Sequence, residues 1–154
     1  MESSQSVAFD AADVAPTLIL YPVFAMFFLV VIVLLRMRSI RFAAVRRHEV
    51  SVNFYRAYQE GVEPEPLRVI SRHFSNLFEV PILFYVGVIM TYVTHQVNYW
   101  LVACAWAYVA LRYVHSYVHL TSNNVVVRFG VYFASGVVLL VMWSSLLVQL
   151  LRAG

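Results

Sequence analysis

Four nearly unbroken apolar stretches divide this chain, at 17–35, 74–94, 97–120 and 129–151. Each approaches the roughly 20 residues an α-helix needs to cross about 30 Å of hydrocarbon. In lipid every backbone N–H and C=O must be paired within its own segment, so the pattern predicts four transmembrane helices. Two connections are short and polar: Gln96-Val97-Asn98, and Thr121-Ser122-Asn123-Asn124. The third is long, residues 36–73. Its Glu63-Pro64-Glu65-Pro66 piece cannot continue a helix but suits the start of one, because a first-turn proline gives up only an N–H that has no intrahelical partner. Residues 40–47 are weakly amphipathic and 50–54 alternate, which leaves the structure of that connection open.

Composition agrees. Of 154 residues, 62% are hydrophobic and 12% charged, with a mean hydropathy of +0.74; soluble domains carry about 45–50% apolar and about 25% charged residues. The expected fold is an all-α integral membrane protein, one domain over 1–154, built as a four-transmembrane-helix bundle. Residues 1–16 carry Glu2, Asp10 and Asp13 and lack the basic region of a cleavable signal, so the first span is expected to be a retained anchor. Tyr99 and Trp100, beside a turn, suit the interfacial belt. Cys104 excludes an internal disulfide and reads as a small core residue.

All 11 basic residues are arginine, a usage typical of a GC-rich genome. Eight of them (Arg36, Arg38, Arg41, Arg46, Arg47, Arg56, Arg68 and Arg72) fall in 36–73. By the positive-inside rule this loop is cytoplasmic and both termini lie outside, with a bacterial inner membrane as the expected setting. The same clustering explains the pI near 9.2 without a nucleic-acid partner.

Several polar residues interrupt the apolar runs, and charge at membrane depth is costly enough to mark function. Arg72, Asn76 and Glu79 stand at i, i+4 and i+7, on one face of a helix. Arg112, His115 and His119 stand at i, i+3 and i+7 on the third span, again on one face, and Arg128 opens the fourth. The alternating sense of the spans brings all these groups to one membrane face. At about 1.5 Å per residue, Glu79 lies roughly 10 Å in from Arg72 and Arg112 roughly 13 Å in from Thr121. Their similar depth predicts a Glu79–Arg112 ion pair, which would leave Arg72 and Asn76 for a ligand. The surplus of arginine over acid calls for an anion.

On these residues the chain resembles the MAPEG family, membrane-associated proteins in eicosanoid and glutathione metabolism. The resemblance rests on Arg72-x3-Asn76-x2-Glu79 followed by Pro81, then on Arg112-x2-His115-x3-His119 with Arg128 sixteen residues after Arg112. It implies a homotrimer that binds glutathione as co-substrate between protomers near the cytosolic face. Arg72, Asn76 and Glu79 would contact glutathione, Arg38 would face one of its carboxylates, and Arg112, His115 and His119 would line the pocket. Arg128 would be catalytic, stabilising the thiolate. The implied activity is that of a glutathione transferase or peroxidase acting on lipophilic electrophiles or lipid hydroperoxides delivered by the membrane. This chain departs from the pattern at His119, where some members carry tyrosine, at Phe129 after Arg128, and in the short Glu79–Pro81 spacing.

Other readings stay open. The fold could serve a non-catalytic lipid-binding or scaffold protein, as one family member does. His115 and His119 share a face and could suggest haem, but haem needs ligands facing each other across helices. No His-box series or Cys cluster is present, so no metal ligands are assigned. A transporter would show an inverted repeat or a broken helix at the midplane, and neither is visible.

Overall fold

The computed structural model describes residues 14–50 and 64–153, and these are helical with short turns. The acidic residues before 14, Arg56 and most of the alternating 50–54 piece lie outside the described residues. A short 3-10 helix, Pro16–Leu20, runs into α1 (Tyr21–Arg46); α2 (Glu65–Asn76), α3 (Val80–Val93), α4 (Tyr99–Leu120) and α5 (Val125–Ala153) follow. α4 packs most extensively against α5, α1 lies against α2 and α4, and α3 meets α5 and the 3-10 turn.

The exterior is apolar. Phe24, Phe27, Phe28 and Ile32 on α1, Ile82, Leu83 and Ile89 on α3, and Leu140 and Leu147 on α5 are all exposed. A surface of this kind is stable in lipid and a liability in water. The core takes one stripe per helix: Met26, Leu29, Val33 and Met37 from α1, Phe84 and Val88 from α3, Leu101, Cys104, Ala105 and Tyr108 from α4, and Leu139 and Met142 from α5.

Three segments are long and apolar enough to cross a membrane: Pro16–Arg46, Glu65–Val93 and Val125–Ala153. α4 has the length, at 22 residues, but Arg112, His115 and His119 lower its hydropathy. Those side chains are buried inside the bundle.

The helices are longer than the apolar runs that predict them. α1 continues through Arg36, Arg38 and Arg41 to Arg46, α2 begins at Glu65 and α5 at Val125. Helical hydrogen bonding outlasts the lipid-compatible composition, since arginine is a good helix former. α2 has Pro66 in its first turn, as the Glu-Pro-Glu-Pro piece predicts. The second apolar run is not one helix, however. It breaks over Leu77–Glu79 and resumes at Val80, with Pro81 in the new first turn. Pro81 has no N–H to give Leu77, and its ring would clash with that carbonyl, which disfavours an unbroken helix and here accompanies a break.

Candidate functional site

The α2–α3 break creates the site. In an unbroken helix the Asn76 carbonyl would accept from residue 80. Here it accepts instead from Arg112 Nη2, at 2.9 Å. Arg112 is fully buried, and its guanidinium lies 5.3 Å from the Tyr132 ring centroid. This corrects the expected Glu79–Arg112 ion pair. Glu79 sits on the break, is exposed, and makes no ion pair among the described residues; Arg47 and Glu49 pair at 3.9 Å on the surface. The freed carbonyl lies within reach of Arg112, and the break leaves the Glu79 carboxylate at the surface.

An open pocket of about 410 Å³ lies beside the break. Arg72, Asn76 and Glu79 form one wall, with Ser75 between them, and His119, Asn123 and Arg128 form the other. Five of the eight sequence-derived site residues (Arg72, Asn76, Glu79, His119 and Arg128) therefore line a single cavity. With two arginines against one carboxylate, its charge favours an anion.

Arg128 is held from two sides. Asn124 Oδ1 caps α5 by accepting from the Val126 and Val127 N–H groups at 3.1 and 3.2 Å, which sets Arg128 on the first turn. Arg128 Nη1 donates to Asn123 Oδ1 at 2.6 Å. The Arg128 carbonyl accepts from His115 Nδ1–H at 3.2 Å.

The other three expected residues lie elsewhere. Arg112 and His115 are buried behind the pocket wall, Arg112 on the helix break and His115 on the Arg128 backbone. Arg38 is exposed on α1, its guanidinium 5.4 Å from the Phe42 ring centroid. The α1 arginine that reaches α4 is Arg36, which donates from Nη2 to the Leu120 carbonyl at 3.4 Å and lines an adjoining cavity of about 260 Å³ with His119 and Asn123. Positions 36 and 38 differ by about 200° around a helix, so both cannot face α4.

His73 was not among the expected residues. It is fully buried, with ring centroids 4.9 Å from His119 and 5.7 Å from His115. Both its nitrogens, together with Arg112 Nε and Nη1, His115 Nε2 and His119 Nδ1, have no hydrogen-bond partner among the described residues. Its position was readable: Leu67, Ile70 and His73 form the buried stripe of α2, which Leu77 continues just past the helix end. Among the described residues, no group of three or more His, Cys, Asp or Glu is arranged to hold a metal ion.

An apolar helical exterior around a charged pocket defines an integral membrane protein. The family model for MAPEG matches residues 19–148, most of the chain, and the chain belongs to that family. No curated protein and no solved structure matches it.

Proposed function

We propose that the protein is a glutathione-dependent transferase or peroxidase of the membrane. The observation that carries this reading is the convergence of Arg72, Asn76, Glu79, His119 and Arg128, drawn from three helices, on one open pocket. All eight residues from the sequence keep a role in this reading, five of them in the pocket itself. Arg72, Asn76, Glu79 and His119 hold the tripeptide, Arg112 and His115 fix the wall behind it, and Arg128 stabilises the thiolate. Arg38, on the exposed side of α1, reaches a ligand only from a neighbouring copy, which fits a homotrimer with glutathione between protomers. Four spans, with α4 shielded by its neighbours and the arginine-rich end cytoplasmic, complete this arrangement.

The chemistry needs little from the protein. A thiol with pKa near 8.5 is mostly protonated at neutral pH, and a fixed cation beside it favours the thiolate. A lowering of about 2 units corresponds to about 2.7 kcal/mol, within reach of one well-placed arginine in a partly desolvated site. In conjugation the sulfur forms a C–S bond as the leaving group departs with its electron pair. In peroxidase chemistry the thiolate takes one oxygen of the hydroperoxide and releases the alcohol. A second glutathione then forms the disulfide and water.

A second reading, lipid binding without turnover, is favoured by an apolar groove of about 380 Å³ between Met90 and the Trp143–Leu150 part of α5, at the opposite end of the bundle from Arg128. Calorimetry with glutathione, followed by ultraviolet thiolate absorbance and turnover of an aryl halide, separates the two. Saturable binding with a thiolate signal and product supports the enzyme. Lipid retention with no heat from glutathione overturns it.

A further inference from the structure

We infer that Asn123 is a positioning residue for Arg128: it holds the guanidinium at the pocket wall through a neutral amide, and so leaves its positive charge available to a bound anion. The consequence for catalysis rests on the glutathione reading above; the anchoring does not.

Three independent observations meet at this residue. Asn123 has φ 47°, in the left-handed region, which asparagine tolerates better than most residues. That conformation turns the chain after α4, with the Asn123 N–H donating to the Val118 carbonyl at 2.8 Å. The same residue directs its side-chain oxygen to Arg128 Nη1 at 2.6 Å. It also lines the pocket beside Arg128. Turn, anchor and pocket wall thus meet at one residue.

The choice of amide over carboxylate matters chemically. Aspartate also tolerates the left-handed turn and would bind the guanidinium more tightly. It would, however, place a full negative charge against the cation, and the charges would largely cancel as seen from the pocket. An asparagine oxygen fixes the geometry and leaves the net charge in place. Arg128 retains donors beyond the one spent on Asn123, since a guanidinium has five.

Two variants test this with two readouts. In Asn123→Gly the turn survives and the anchor is lost. In Asn123→Asp the anchor survives and the charge is compensated. The first readout is the rate at which phenylglyoxal modifies Arg128, followed by mass spectrometry of the peptide that contains it, with far-ultraviolet circular dichroism to verify the fold. The rate is expected to rise about five-fold in Asn123→Gly, the effect of losing one hydrogen bond, and to stay at or below the parent rate in Asn123→Asp. The second is a pH titration of the thiolate absorbance of bound glutathione. Its midpoint is expected to rise by about one pH unit in both variants, for opposite reasons. An unchanged modification rate in a folded Asn123→Gly protein overturns the anchoring. A retained titration midpoint in Asn123→Asp, with glutathione bound, overturns the role of charge. If the parent protein gives no thiolate signal while Arg128 modification still responds to Asn123→Gly, the glutathione reading fails and the positioning stands.

Discussion

Arg112 Nη2 donates to the main-chain carbonyl of Asn76 at 2.9 Å, joining the middle of one long helix to the end of another. The carbonyl is available because α2 ends at Asn76, and the last carbonyls of a helix have no intrahelical donor. Without this donor, a half-buried carbonyl at the break would lose its partner. Arg112→Ala is therefore expected to cost about 2–4 kcal/mol, from an emptied volume and an orphaned acceptor. The measurement is the apparent melting temperature in detergent. A melting temperature equal to that of the parent protein would remove the structural role assigned to Arg112.

Arg72 and Arg128 line the same cavity but should fail differently. Arg128→Ala is expected to lower the thiolate fraction and the turnover by up to about 100-fold, the equivalent of about 2 pKa units, with a smaller change in glutathione affinity. Arg72→Ala is expected to weaken affinity about ten-fold, roughly 1.4 kcal/mol, with turnover at saturation nearly kept. Calorimetry and steady-state kinetics on the same preparations check the split. If both variants lose affinity and turnover in equal proportion, the two arginines do not divide the work.

Gly87 is a packing requirement between α3 and α5. A Cβ there would stand 2.8 Å from Met142 Cε and 3.1 Å from Trp143 Nε1. The methionine tip can move, whereas the indole is tied by its N–H to the Leu83 carbonyl at 3.1 Å. Gly87→Ala is expected to cost about 1 kcal/mol and Gly87→Leu up to about 3 kcal/mol. Melting curves of the two variants, with tryptophan fluorescence following Trp143, give the test. Equal stability for Ala and Leu would contradict the packing.

Asn98 caps α4 and ties it to α5. Its Oδ1 accepts from the Leu101 N–H at 2.9 Å, and its Nδ2 donates to Gln149 Oε1 at 2.9 Å. Asn98→Ala loses both bonds and is expected to cost about 1–2 kcal/mol. Asn98→Asp keeps the cap and should recover part of the loss. Thermal unfolding of the pair checks it, and an Asp variant no better than Ala would show that the cap contributes nothing.

Much of the site was readable from spacing. Arg72, Asn76 and Glu79 were placed on one face by helical periodicity, and all three line the pocket although the helix ends before Glu79. His73 could have been found from its place in the Leu67, Ile70 and Leu77 stripe, since a polar residue on a buried face is the exception that carries information. The partner of Arg112 could not be read in this way. Depth along two helices predicts which residues lie level, but not which atoms the helix break turns toward each other.

The sequence by itself determined the all-helical class, the apolar exterior and the collection of polar residues at one end of the bundle. These follow from local hydrogen bonding and from the energetics of transfer into lipid, both of which act residue by residue. Only the tertiary structure decided that Arg112 holds a carbonyl and not Glu79, that Arg36 and not Arg38 reaches α4, and that Asn123 anchors Arg128. Each of these choices depends on how one helix is rotated and broken against another, and that is set by the packing of the whole bundle.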